Sequence, residues 1–265
     1  MEIIIREFAD QAIDLTARLI AQRLRIKPDL VLGLATGRTM EGVYTKLVEL
    51  HTDRDLDFSG CHSFNLDEYI GLPPEHEQSY RYYMNDHLFS RVNIRIENTH
   101  LPDGVSEDIK AACAEYERLI TSLGGIDLQL LGIGEDGHIG FNESLSALHS
   151  RTRDKSLTPI TIRQNAPFFG GAENMPKRAL TMGVGTILEA REIVLLATGK
   201  HKAQIVAQAL EGPITSMISA TALQLHSNCK IIVDEAAASN LKEQEYYRWI
   251  FENEPDWEPF RGETV

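Results

Sequence analysis

Short unbroken apolar runs alternate along the chain with longer stretches in which apolar side chains recur every three or four residues. The runs EIII (2–5), LVLGLA (30–35), CHSFN (61–65), IDLQLLGIG (126–134), REIVLLAT (191–198) and CKIIVD (229–234) have the length of strands covered on both faces, the first as an edge strand. Between them, 10–25 carries Ala12, Ile13, Ala17, Leu19 and Ile20 at helical spacing. Further helices are expected from about 40 to 51, over 79–89 and 107–123, and in GKHKAQIVAQAL (199–210). Past residue 144 the chain is polar and predicts little helix before 191. Strands that alternate with helices predict an α/β fold, a mostly parallel sheet with helices on both faces. No Pro-, Gly- or Ser-rich linker interrupts the pattern, so residues 1–265 read as one domain. The aromatic, acidic tail EYYRWIFENEPDWEPF is expected to pack on the body or on a neighbouring subunit.

Composition narrows the function. Lys and Arg total 26 against 39 Asp and Glu, a formal charge of -13, which argues against a nucleic-acid binder and requires a local basic pocket for any anionic substrate. No apolar run is long enough to span a bilayer, so no membrane role is expected. The N-terminal MEIIIREFADQA has no export leader, and a cytoplasmic enzyme is the expectation. Cys61, Cys113 and Cys229 are scattered without metal-ligand spacing, which predicts free thiols and no metal.

Two turns repeat one design: Leu34-Ala35-Thr36-Gly37-Arg38 and Leu196-Ala197-Thr198-Gly199-Lys200 both read as strand, Thr-Gly turn, cation, helix. At the carboxyl ends of parallel strands, such turns offer backbone N–H groups to a phosphate. A third glycine-rich segment, LLGIGEDGHIGFNES (130–144), matches GxGxxG at Gly132, Gly134 and Gly137. The dinucleotide reading fails there: Gly137 leads into His138, Gly140 and polar residues rather than a helix, and the acid at the required distance, Asp154, lies in a charged stretch. No nucleotide cofactor is expected. The segment holds instead Asp136, His138 and Glu143, an imidazole between two carboxylates, suited to acid-base work. A second acidic pair, Asp67 and Glu68, follows the strand at 61–65.

GLATGRT, NLDEYIGL, LGIGEDGHIGFNE, SRTRDK and TMGVGTILEAREI, in this order over nearly the whole chain, resemble the glucosamine-6-phosphate deaminase family. The resemblance implies a Rossmann-like sheet that binds no nucleotide. It also implies a cofactor-free conversion of glucosamine 6-phosphate and water to fructose 6-phosphate and ammonia. Asp67 becomes the base that moves the C2 proton to C1, and His138 the catalyst of pyranose opening, oriented by Asp136 and Glu143. Thr36, Gly37, Arg38 and Thr39 become the phosphate cradle, with Lys202 adding charge. Two positions depart from the family pattern. The lid arginine that precedes a Phe-Phe pair is Pro167 here, ahead of Phe168 and Phe169, and a small residue of the phosphate turn is Arg38. Arg38 is therefore expected to carry the displaced phosphate charge, with Arg163 as second candidate.

Family members are commonly homo-oligomers, often hexamers, activated by N-acetylglucosamine 6-phosphate. Ser146, Arg153 and Lys155 match that effector pattern. Three rival readings differ in their sequence demands. A 6-phosphogluconolactonase shares the GxDGH stretch but continues differently after the histidine and lacks NLDEY. A non-catalytic sugar-phosphate sensor calls for a preceding DNA-binding helix-turn-helix. A deaminase of another hexosamine 6-phosphate, such as galactosamine 6-phosphate, fits the same residues.

Overall fold

The computed structural model describes residues 1–262. β1 (Glu2–Arg6) leads into α1 (Ala9–Ile26), β2 (Val31–Leu34), α2 (Arg38–Arg54), β3 (His62–Asn65), β4 (Asp67–Tyr69) and α3 (Tyr80–His87). Then come β5 (Thr99–His100), α4 (Ile109–Ser122), β6 (Leu128–Leu131), β7 (Arg153–Ser156), α5 (Pro159–Asn165) and β8 (Arg178–Thr181). α6 (Val184–Leu188), β9 (Glu192–Ala197), α7 (Ala203–Glu211), β10 (Cys229–Asp234), α8 (Glu235–Ala238) and α9 (Gln244–Asn253) complete the order.

Seven strands form one parallel sheet in the order β1-β10-β9-β6-β2-β3-β5, with β1 at an edge as its sequence predicts. Every residue of β2, β6, β9 and β10 is buried, which is why these segments read as continuous apolar runs and not as alternating ones. α1 turns Ala12, Leu15, Thr16, Leu19 and Ile20 inward and packs on α2 and β10. From β2 the chain winds outward to β3 and β5, then returns to β6 on the other side of β2. The β2/β6 boundary is thus a topological switch point, where the helical connections part and leave a crevice beyond the strand ends. Thr36–Thr39 and Gly132–His138 both leave their strands at that crevice.

The predicted helix-poor stretch after residue 144 is corrected by the structure. It contains β7, α5, β8 and α6, and β8 joins β4 and β7 in a second, antiparallel sheet of order β4-β8-β7. These strands and helices are four to seven residues long, and β7, α5 and β8 carry charged residues, so neither period shows in the sequence. NLDEY also divides differently from the expectation. Leu66 still pairs with the large sheet through its N–H to Leu34 O (3.1 Å), whereas Asp67 already stands opposite Thr181 in the small one. The small sheet has its own cluster of Tyr69, Phe141, Leu157, Met175 and Ala179, against which Tyr80, Ile162 and Phe169 pack. In the tail, Phe251, Trp257 and Phe260 are buried against the body, while Tyr246 and Trp249 are exposed.

Candidate active site

Asp67 lies where the two sheets meet and is 6% exposed. Burial, reinforced by the neighbouring Glu68 carboxylate, pushes its carboxyl up from 3.8 to about 8. The segment Ile139–Glu143 covers it closely. A Cβ on Gly140, whose φ is +56°, would stand 3.3 Å from Asp67 Oδ2 and 3.0 Å from Thr181 Oγ1. Asn142 fixes that segment by donating from Nδ2 to the carbonyls of Ile139 and Met182, both at 2.8 Å.

Glu68, Asp67's partner in the predicted acidic pair, does different work. Its carboxylate accepts the N–H groups of Tyr80 (3.0 Å) and Arg81 (3.0 Å) and so holds the first turn of α3. That anchoring positions Tyr80, whose phenol meets the Tyr69 phenol at 3.4 Å and sits against the Thr36 hydroxyl. Tyr69 and Tyr80 thus link the Asp67 strand to the Thr-Gly turn. A tyrosine in SYRYYMNDH has no sequence signal for that position.

His138 is set by the backbone. Gly137 adopts φ +85°, Gly134 N–H donates to His138 O at 2.9 Å, and Gly137 N–H donates to Gly134 O at 3.1 Å. This loop lays the imidazole flat on Gly134, where an added Cβ would come within 2.5 Å of the ring's Cε1. His138 Nδ1 is 2.6 Å from Asp136 Oδ1, at an angle poor for a hydrogen bond, and 3.8 Å from Glu143 Oε2. Partial burial pulls the Asp136 carboxyl up, but attraction to the close imidazole and the His138 backbone N–H, which donates to Oδ1 at 3.3 Å, hold it below its usual range. Glu143, 1% exposed, accepts Thr158 N–H (3.1 Å), Thr158 Oγ1 (3.2 Å) and Thr161 Oγ1 (2.6 Å). The donor atoms of the trio lie within 4.8 Å of one another, close enough to share a cation. Both Glu143 oxygens are already engaged, and the arrangement is that of an imidazole steered by carboxylates. Gly134→Ala is expected to retain the fold but lower kcat on the order of tenfold or more, because a misplaced ring loses its alignment; steady-state kinetics beside a melting curve checks it.

The raised carboxyl of Asp67 fixes a pH dependence of stability. Between about pH 4 and pH 8 the folded protein holds a proton that the unfolded chain releases, so Asp67 lowers stability as pH rises through that window. Asp67→Asn removes the cost and is expected to melt above wild type at pH 8, the gap closing toward pH 4; thermal unfolding at both pH values measures it.

The first Thr-Gly turn opens α2 and is tied from behind. Tyr44 donates its hydroxyl to Ala35 O, and Tyr83 donates to Gly37 O at 2.9 Å. The N–H groups of Gly37, Arg38 and Thr39 have no acceptor among the described residues and project from a helix N-terminus. The second turn corrects the expectation of a matching cradle. Gly199 N–H is taken by Asp234 Oδ1 and Oδ2 at 3.0 and 3.1 Å, and that carboxylate also caps α8 through Ala237 N–H. A phosphate there would meet an anion. Its helix still delivers Lys202, whose Nζ donates to Ile133 O at 2.8 Å, beside the loop that carries Asp136.

Two of the remaining predicted residues are exposed cations. Arg163 is exposed on α5 and makes no hydrogen bond or ion pair among the described residues. Arg38 is exposed, with its guanidinium 5.1 Å from the centre of the Phe168 ring. Ser146 is buried with its hydroxyl unpartnered, and Arg153 and Lys155 stand two residues apart on β7. Across the small sheet, Arg153 and Asp67 flank the same residue, Thr181. Among the described residues no helix is long and apolar enough to cross a membrane, and the three cysteines are buried and unpaired.

Residues 5–231 match the family model for glucosamine-6-phosphate isomerases/6-phosphogluconolactonase. The chain is 50% identical over 250 residues to a glucosamine-6-phosphate deaminase of Shewanella loihica, covering 94% of this chain and 93% of that one. It is 49% identical over 258 residues to the enzyme of the same name from an Arthrobacter species, covering 97% and 99%. A solved monomeric glucosamine-6-phosphate deaminase superposes with a TM-score of 0.89 at 42% identity, covering 91% of this chain and 100% of that one. The 6-phosphogluconolactonase of Trypanosoma cruzi shares the fold, with a TM-score of 0.72 at 21% identity over 91% of this chain and 97% of that one.

Proposed function

The chain belongs to the glucosamine-6-phosphate isomerase/6-phosphogluconolactonase family, and we propose that it acts as a glucosamine-6-phosphate deaminase, releasing fructose 6-phosphate and ammonia. The observation that carries this reading is a buried carboxyl with a pKa near 8, Asp67, under the same loop that presents an imidazole backed by two carboxylates.

In this reading the substrate phosphate lies on the N–H groups of Gly37, Arg38 and Thr39 with the hydroxyls of Thr36 and Thr39, and Lys202, Arg38 and Arg163 supply positive charge. His138 moves the ring proton that opens the pyranose. Asp136 and Glu143 hold its orientation and stabilise its charged form. Asp67 takes the C2 proton as a carboxylate and gives it back at C1 as an acid. A pKa near neutrality serves both halves of that transfer. The C2 amine leaves as ammonia and water supplies the C2 oxygen, so the reaction needs no redox cofactor. The whole chain serves as one cytoplasmic enzyme domain. Ser146, Arg153 and Lys155 form an effector site for N-acetylglucosamine 6-phosphate at a contact between copies of the chain. The buried, unpartnered Ser146 hydroxyl supports that site. A rate curve unchanged by the acetylated sugar phosphate contradicts it.

Ammonia release from a panel of hexosamine 6-phosphates tests the main reading. Turnover of glucosamine 6-phosphate is expected. Release from galactosamine 6-phosphate alone transfers the activity to the other amino sugar, and release from none, with lactone hydrolysis instead, overturns it.

A further inference from the structure

Arg38 is the first residue of α2, next to the free N–H groups of the phosphate turn. Among the described residues it has no ion-pair or hydrogen-bond partner. The ring of Phe168 is centred 5.1 Å from its guanidinium carbon. Phe168 is 46% exposed and belongs to the turn Ala166–Phe169 that follows α5. That turn is bounded by Gly170 and Gly171 at φ +68° and +146°, backbone settings that favour glycine. On its far side an open cavity of about 530 Å³ separates Phe168 and Phe169 from the Glu75–Gln78 stretch. The turn therefore ends in two glycines, borders open space, and touches the substrate turn through Arg38.

A guanidinium offers two different surfaces. Its flat face stacks on an aromatic ring, while its edge carries five N–H donors in the plane. The stack on Phe168 uses the face and leaves the edge for an anion lying on the adjacent N–H groups. We propose that Arg38 is a positioning residue that fastens the 159–175 segment over the site: substrate phosphate fixes its edge, and the fixed face holds Phe168 down. This deepens the phosphate-turn reading and rests on it. Because coupling is reciprocal, a segment held down by Phe168 also tightens phosphate binding. The stack, at the partly exposed strength of such contacts, makes this coupling worth about two- to fivefold in affinity.

The full-length protein, first confirmed to release ammonia from glucosamine 6-phosphate, is examined by hydrogen–deuterium exchange with inorganic phosphate as the probe. Phosphate is expected to slow amide exchange across 159–175 in wild type and in Phe168→Tyr, which keeps the ring, and to lose this effect in Arg38→Ala and Phe168→Leu. Phe168→Leu keeps apolar bulk, so a change that reflects packing alone leaves it like wild type. In kinetics, Phe168→Leu is expected to raise KM about two- to fivefold with kcat within twofold. Arg38→Lys, which keeps charge without a flat face, is expected to bind phosphate more tightly than Arg38→Ala but to leave KM about two- to fivefold above wild type, without protection of the segment. Equal phosphate protection in wild type and Phe168→Leu, or none in an active wild type, overturns the proposal. An inactive wild type instead contradicts the functional reading on which it rests.

Discussion

Asp67→Asn is expected to lower kcat by about 10²–10⁴-fold with little change in KM, the range a lost general base produces. The amide matches the carboxyl in size and suits the burial of the site, so the variant folds and binds but has no group to take the C2 proton. Asp67 needs its raised pKa for two reasons. A carboxylate with an ordinary pKa accepts a carbon-bound proton weakly, and one far above neutrality is rarely ionised. At about 8 it stays basic and still reaches its charged form at working pH. The kcat/KM of wild type therefore rises with pH toward about 8, a limb that Asp67→Asn removes. The expected higher melting temperature of the same variant is the other face of this: the burial that makes the base effective also costs stability.

His138→Gln is expected to lower kcat/KM by about 10²–10³-fold, less than Asp67→Asn at its extreme, because pyranose opening proceeds slowly in solution without the imidazole. Glutamine keeps hydrogen-bonding atoms but cannot carry a proton through the cycle. Asp136 acts through the ring, with its Oδ1 2.6 Å from Nδ1. The two residues form a unit, and the double variant Asp136→Asn/His138→Gln is expected to be no slower than His138→Gln alone. Additive losses contradict an orienting role for Asp136.

The large sheet was legible because parallel strands buried on both faces leave unbroken apolar runs, as in LVLGLA and CKIIVD. The small sheet was not, because β4, β7 and β8 are three or four residues each, β4 buries two acids and a tyrosine, and β7 is a charged strand that is not buried. Asp67, Asp136, His138 and Glu143 stand out in the sequence as titratable residues at predicted strand ends, and the structure brings Asp136, His138 and Glu143 together. Their partition was not legible. Glu68 looks equivalent to Asp67 in NLDEY, and only the position of α3 shows that its oxygens are committed to Tyr80 and Arg81 N–H. Gly199 looks equivalent to Gly37 for the same reason, until Asp234, 35 residues later, is seen to occupy its N–H. Tyr44, Tyr80 and Tyr83, which brace the Thr36–Thr39 turn, carry no spacing or motif, since their roles arise from α2 and α3 meeting, Tyr44 against Tyr83.

The central claim is that one shielded carboxyl carries a proton between two adjacent carbons of an amino-sugar phosphate. Turnover of glucosamine 6-phosphate deuterated at C2 tests it most directly. The expected result is a primary isotope effect on ammonia release, with part of the deuterium recovered at C1 of the fructose 6-phosphate formed. Ammonia release that leaves the deuterium at C2 of an aldose phosphate, or that shows no isotope effect and no label at C1, contradicts it.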